Sequence, residues 1–356
     1  MSEKENLQKT LENARRVLSI LEEQVSGYGS LAVPPEKLIQ LEDKRREVAE
    51  LQKKLEKLTL PVRFTVPEAP ETVDGLKSFA TSSPFIVAGR LENVENFVGR
   101  SRERTTIIER SYRGASTSLV GDRRIGKTWL LDYLRLVAPT ELGSRHRVAY
   151  IDASRDSCRS VSGFVLTCLE ELNIKLDAPD PTSLRLNTLK NVVRELHSRN
   201  QIPILCLDQF ERFGKVNLAE FDLNFFEGLR AIAGIGTVLL TASKIPLIEL
   251  VSQIGSTSPF FNIFETVRVK MFSSREAQQF VEKQASRVGF DEPERAKLLE
   301  LGQSHPLRLQ LVGEMLYLDK RLSQEEDPDL YRPNDPEYWQ DFGERLEDKF
   351  RGMVRV

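Results

Sequence analysis

The sequence predicts an α/β protein in three parts: an N-terminal helical hairpin, a parallel β-sheet interleaved with helices, and a small α-helical domain after the sheet. Three observations predict it. Apolar positions recur at helical steps in residues 5–25 and 35–60, short apolar runs alternate with amphipathic segments from Val98 to Lys270, and only helical periodicity follows Lys270.

Leu7, Leu11, Ala14, Leu18, Leu21 and Val25 step by four and three, while Leu41, Val48 and Leu55 stand seven apart with Leu51 and Leu58 offset by three. "SGYGSLAVPPE" separates the two runs, so residues 1–60 read as two helices paired along their seams, with charged outer faces. Eleven basic and eleven acidic residues balance in this segment. Its information therefore lies in the apolar seams, and the expected partner is a second copy or a separate effector or sensor chain. Residues 61–95 include "PVRFTVPEAPETV" and "TSSPFIVAG" and read as a linker or an extended arm.

The α/β domain is expected at 96–270. Its strands are "TSLVGD", "VAYIDA", "IPILCLDQ", "TVLLTAS" and "ETVRVK"; its helices are "KTWLLDYLRLV", "VSGFVLTCLEEL", "LNTLKNVVRELHSR" and "AEFDLNFFEGLRAIA". Three periodic segments, "SSREAQQFVEKQASRVG", "DEPERAKLLELGQ" and "HPLRLQLVGEMLYL", form a helical domain at 271–325, and a helical tail is expected at 326–356.

Composition narrows the function classes. The 51 Lys and Arg nearly cancel the 53 Asp and Glu, so global charge argues for no polyanionic partner. The start "MSEKENLQKT" has no apolar signal core, and the longest apolar run, "AIAGIGTVLLTA", is too short to span a bilayer; a cytoplasmic protein with no membrane partner is expected. Cys158, Cys168 and Cys206 lack Cys-x-x-Cys spacing and read as buried thiols, not metal or redox centres.

The chemistry concentrates in "SLVGDRRIGKTWLLDYL", residues 118–134. Gly121 to Thr128 match the phosphate-binding pattern of glycine, four residues, then Gly-Lys-Thr, between a strand and an amphipathic helix. Glycines let the backbone curl so that its N–H groups face phosphate oxygens, and the helix adds its positive N-terminus. The sheet is therefore that of a P-loop NTPase, with ATP or ADP and Mg²⁺ as cofactors. Gly121, Arg124, Gly126, Lys127, Thr128 and Trp129 are the expected contacts, Lys127 reaching the β- and γ-phosphates and Thr128 ligating Mg²⁺.

Such a loop needs a carboxylate at the end of a neighbouring strand, and "IPILCLDQF" supplies Asp208 on the metal side. Many ATPases follow that aspartate with a glutamate that polarises the attacking water, but here Gln209 follows it. Glu211 is the next acid, either a water-positioning base or a surface partner of Arg212. Slow hydrolysis is the expectation.

Five segments in this order, "FVGRSRE", "GDRRIGKTWLL", "ILCLDQFERF", "LLTASKIPL" and "LGQSHPLRLQLV", resemble the STAND class, signal-transducing P-loop ATPases related to AAA+ proteins, here of bacterial and archaeal type. The resemblance spans about residues 95–320. It implies that Val98, Gly99 and Arg100 lie near adenine and ribose, and that Asp208 and Glu211 are the acids of the D-x-hydrophobic-D/E pattern. It also implies that Ser243 and Lys244 stand at the sensor position and that Pro306 belongs to the helical domain that closes on the base. Lys244 departs from the arginine often found there. Such proteins usually carry an effector region before the ATPase and a repeat sensor after it; no repeat array fits after residue 325, and the hairpin has no catalytic constellation, so either function is expected on separate chains.

The resemblance implies an ATP-binding signal-transduction switch with slow hydrolysis, in bacterial defence or regulation, that forms a homo-oligomer when ATP shifts its conformation. The alternative is a DNA-associated AAA+-like ATPase, a loader or transposition regulator. Its local support is eight basic residues against three acids from Phe97 to Leu130, part of which must face a triphosphate. A third reading is a scaffold that keeps nucleotide as a structural ligand.

Overall fold

In the computed structural model the described residues are 3–26, 34–59, 64–65, 83–176, 181–215, 217, 219–253 and 259–355. The chain divides into two compact units, Met1–Arg63 and Phe64–Val356.

The first unit is a hairpin of α1 (Glu3–Ser26) and α2 (Pro35–Thr59). The seam positions Leu11, Ala14, Leu41 and Val48 are buried, with Leu18 and Leu51 packed beside them. Lys37 donates to Gln24 at 3.0 Å and Arg45 pairs with Glu22 at 2.8 Å, as in an antiparallel pair. The side chains of Leu7, Leu55 and Leu58 lie outside the described residues. Val17 and Ile20 are exposed on the other face of α1.

The second unit begins with β1 (Phe64–Thr65), α3 (Ser101–Tyr112), β2 (Ser116–Val120), α4 (Lys127–Glu141), β3 (His146–Asp152), α5 (Val161–Glu171) and β4 (Lys175–Leu176). It continues through α6 (Leu186–Ser198), β5 (Ile202–Asp208), α7 (Leu223–Ala233), β6 (Val238–Ser243), α8 (Leu247–Gln253) and β7 (Phe264–Arg268). Helices α9 (Ser274–Val288), α10 (Glu292–Gly302), α11 (Pro306–Glu325) and α12 (Pro336–Arg355) complete it. The short β1 and β4 pair antiparallel, apart from the main sheet.

The five long strands form one parallel sheet in the order β3-β5-β6-β2-β7. The central strands β5 and β6 are buried on both faces, which is why they read as apolar runs, while the edge strand β7 is partly exposed. Along β5 the faces alternate: Ile204 and Cys206 pack in the core with Leu130, Leu134 and Ile107, while Leu205 and Leu207 pack with Phe164, Val192 and Leu229. Cys158, Cys168 and Cys206 are all free and buried. The register places Asp152 opposite Asp208 and Val120 opposite Ser243, so the strand ends that carry polar groups meet at one edge, where parallel sheets bind ligands.

Two helices were not expected from the sequence. Helix α3 is so charged that Ile107 is its single fully buried apolar residue, and α8 spans only seven residues. Helix α7 starts at Leu223, later than the periodicity suggests, because the Asp222 carboxylate accepts the Phe225 N–H at 3.1 Å and caps the helix there.

Residues 83–97 form an irregular strap across the unit. At one end Phe85 is buried in the helical region, stacked 5.8 Å from Phe290, and Ile86 N–H donates to Gln310 at 2.9 Å. At the other, Leu91 and Phe97 enter the core beneath α4. Gly313 permits this: a Cβ there would overlap the Phe85 ring. Gly313→Ala should therefore destabilise the unit by about 1–3 kcal/mol through overpacking, read from denaturant unfolding. An unchanged midpoint would mean that the strap is not packed against α11.

Candidate nucleotide site

The loop between β2 and α4 is shaped by its glycines. A Cβ on Gly121 would overlap the Val269 carbonyl, so that position takes only glycine, and Gly126 (φ 99°) and Arg124 (φ 62°) lie in the left-handed region. Turns of this kind direct backbone N–H groups inward, toward an anion. Lys127 crosses the loop and donates to the carbonyls of Gly121 at 2.7 Å and Asp122 at 2.8 Å. Burial pushes its ammonium pKa down, and the charges of Glu211, Asp208 and Asp122 oppose that shift.

Thr128, the first hydroxyl of α4, donates to Asp208 Oδ2 at 2.7 Å, which joins the loop to the carboxylate two strands away. Asp208 is almost fully buried; burial raises its pKa, while hydrogen bonds from Thr128, Tyr150 and the Gln209 N–H work to keep it ionised. Two hard oxygen ligands on adjacent side chains fit Mg²⁺, which takes few protein ligands and completes its shell with phosphate and water. No cluster of three or more acidic, thiol or imidazole groups able to hold a metal occurs among the described residues. Thr128 and Asp208 therefore suit a metal that arrives with a phosphate ligand.

The turn after β5 decides where the next acids go. Gln209 has φ 52°, and Phe210 is buried between Phe213, Phe226 and Phe260 with ring centroids 5.4–6.1 Å away. With Phe210 anchored, Gln209 donates to Asp152 and Ser154, each at 3.1 Å, and Glu211 accepts the Lys244 N–H at 3.3 Å. Glu211 and Arg212 both line the cavity.

That cavity has a volume of about 490 Å³, in the range of small-molecule sites. Its polar lining includes Arg123, Arg124, Gly126, Lys127, Thr128, Asp208 and Glu211. Its apolar lining includes Ile86 and Val87 of the strap, Phe97, Val98, Trp129, Phe272, Phe280, Pro306 and Leu307. Trp129 is fixed there by its Nε1–H to the Gly89 carbonyl, at 3.3 Å.

Most of the residues expected from sequence meet at this cavity; four do not line it. Gly99 turns beside Glu276, and Gly121 contributes through its carbonyl to Lys127. Ser243 is buried, with its hydroxyl donating to the Ile245 carbonyl at 2.6 Å, and Lys244 reaches the site only through its backbone N–H to Glu211. Arg100 lines the cavity as an internal clamp. Its guanidinium donates to the Ile125 carbonyl at 3.0 Å and lies over Phe272, and its N–H donates to Glu276 at 2.6 Å. Pro306 opens α11 behind His305, whose Nδ1 accepts the Leu307 N–H at 3.2 Å. Burial and the charges of Arg308 and Arg100 push the His305 pKa down to about 4, which keeps the ring neutral and able to accept.

Sequence reasoning missed the strap residues Ile86, Val87 and Gly89 and also Tyr150, Gln310 and Met353. Tyr150 left one signal: a tyrosine inside a buried strand needs an acceptor for its hydroxyl.

Residues 110–247 match the AAA domain family. The match takes in the phosphate loop, Asp208 and β6, and the fold is that of a P-loop NTPase with a helical C-terminal region. Among solved structures, the chain is similar to a Walker-type ATPase of Pyrococcus abyssi (16% identity, TM-score 0.54, 73% of this chain and 74% of that one). It is also similar to the ORC1 protein of Aeropyrum pernix in complex with DNA (12%, 0.52, 76% and 69%) and to the ORC2 protein of the same organism in ADPNP–ADP complexes (17%, 0.50, 67% and 70%). Identities this low establish a shared fold. No curated protein matches this sequence.

If the cavity holds ATP as its residues suggest, Lys127→Ala should lower nucleotide affinity at least about tenfold, because the phosphates lose their main cation. Glu211→Gln should keep affinity and slow hydrolysis about 100-fold. Fluorescent-nucleotide binding and phosphate release measure the two; full affinity in a folded Lys127→Ala protein would remove the loop from the site.

Proposed function

We propose that this chain is a Mg²⁺-dependent ATPase of the AAA type that uses ATP to reposition its helical region and acts in a DNA-associated assembly. One observation carries the nucleotide half of this reading: a single cavity brings Lys127, Thr128, Asp208 and Glu211 from the sheet against Pro306 and Leu307 from the helical region. A molecule with a charged end and an apolar end fits it.

Thr128 and Asp208 would hold Mg²⁺, which would offset phosphate charge. Lys127, held here by the Gly121 and Asp122 carbonyls, would bind the phosphate oxygens. Glu211, steadied by the Lys244 N–H, orients the attacking water and takes its proton. Gln209, whose amide is not a base, donates to Asp152 and Ser154, so the position next to Asp208 supplies no base and turnover should be slow.

The likeness to the ORC1 protein in complex with DNA supports the DNA-associated reading ahead of signal transduction. The basic run of residues 97–130 does not add to it. Arg100 and Arg104 are held inside, Arg110 pairs with Glu265, Arg113 with Glu109, Arg124 donates to the Met353 carbonyl, and Lys127 is in the loop. Arg102 remains for an outside partner, while Arg123 lines the cavity. The signal-transducing reading stays second, supported by the five-segment resemblance.

Mass measurement of the full chain without nucleotide, with ADP and with ATP, with and without duplex DNA, separates these readings. ATP should induce assembly, DNA should join it with an affinity that falls steeply as salt rises, and replacing Leu41 and Val48 with serine should abolish assembly while sparing ATP binding. Assembly with ATP and no DNA association at low salt would favour the signalling reading. A chain that stays monomeric under every condition would refute both.

A further inference from the structure

Asp208 is held by more than the phosphate loop. Its Oδ2 accepts the Tyr150 phenol at 2.7 Å as well as Thr128, and its Oδ1 accepts the Gln209 N–H at 2.9 Å. Thr128 is itself an expected metal ligand. Tyr150 is thus the donor to Oδ2 that stays on the protein side when a metal is bound.

Tyr150 is in turn held from the strap. The Arg90 guanidinium lies over the phenol ring, with Cζ 3.2 Å from the centroid. Fully buried Asp132 on α4 grips that guanidinium, accepting Nε at 3.2 Å and pairing with Nη2, and the same carboxylate accepts the Leu91 N–H at 3.2 Å. One residue before Arg90, the Gly89 carbonyl takes the Trp129 indole, and Ile86 and Val87 line the cavity. The strap therefore lines the cavity directly and reaches Asp208 through two side chains.

Resting on the nucleotide reading above, we infer that Tyr150 is a positioning residue for the metal carboxylate Asp208 and that Arg90 acts through it, so that the strap sets the Mg²⁺ requirement of nucleotide binding. The reason is geometric. A carboxylate free to rotate presents its lone pairs to a metal in only part of its orientations, while donors fixed on both oxygens leave one orientation. Partners of a metal ligand commonly account for about 10–100-fold in metal affinity.

The test is binding of a fluorescent ADP analogue to the full chain, begun in EDTA and titrated with MgCl₂. In Tyr150→Phe, affinity in EDTA should match wild type, the Mg²⁺ concentration for half of the affinity gain should rise about tenfold, and excess Mg²⁺ should restore full affinity. Arg90→Met, at a partly exposed position, should raise the requirement by a smaller factor and add nothing in the Tyr150→Phe background. A wild-type Mg²⁺ curve in Tyr150→Phe overturns the inference, as does a loss of affinity equal in EDTA and in Mg²⁺, which would mark a purely structural role. An Arg90→Met effect undiminished by Tyr150→Phe overturns the relay. A wild-type protein that binds the analogue without any gain from Mg²⁺, or fails to bind it, removes the nucleotide reading itself and this inference with it.

Discussion

A carboxylate under the protein surface is costly unless donors surround it, and Asp208 is such a group. Thr128 from the loop, Tyr150 from the neighbouring strand and the Gln209 backbone N–H supply those donors, and each arrives from a different element. That requirement ties together the order of the sheet, the start of α4 and the turn after β5. With β6 between the loop strand and β5, the hydroxyl of Thr128 spans the gap and closes on the acid.

The rest of the site follows from what flanks this centre. The phenylalanine cluster around Phe210 makes the turn after Asp208 rigid, which holds Gln209 toward Asp152 and Glu211 toward β6. The strap makes the opposite wall. It is anchored by Phe85 in the helical region and by Leu91 in the sheet core, so movement of one against the other must pass through residues that line the cavity. Arg100 adds a second link, joining Ile125 of the loop to Glu276 and Phe272 of the helical region.

Local patterns carried the five main strands, the loop, Asp208 and most helices, because each is written in a few adjacent residues. Burial on both faces produces apolar runs such as "IPILCLD", and the loop's steric demands produce glycines at fixed spacing. Long-range geometry was not legible in that way. Nothing adjacent to Tyr150 names Asp208 as its acceptor, since the pairing depends on β3 lying beside β5. Ser243 shows the converse: the family resemblance put it at a sensor position facing nucleotide, whereas its hydroxyl closes a turn onto Ile245 and the neighbouring backbone N–H reaches Glu211. The strap was obscure because lack of period describes a chain with little regular structure, which residues 83–93 are, and says nothing of how tightly such a chain packs.

The claim at the centre is that one Mg²⁺-nucleotide spans the cavity from the loop to the helical region. Hydrogen exchange of the full chain with and without Mg²⁺-ATP tests it most directly, because it reads each wall separately. Protection should appear together in the loop (121–129), the strap (86–98) and the start of α11 (306–310). Protection confined to the loop, with the strap and α11 exchanging as in the free protein, would contradict it.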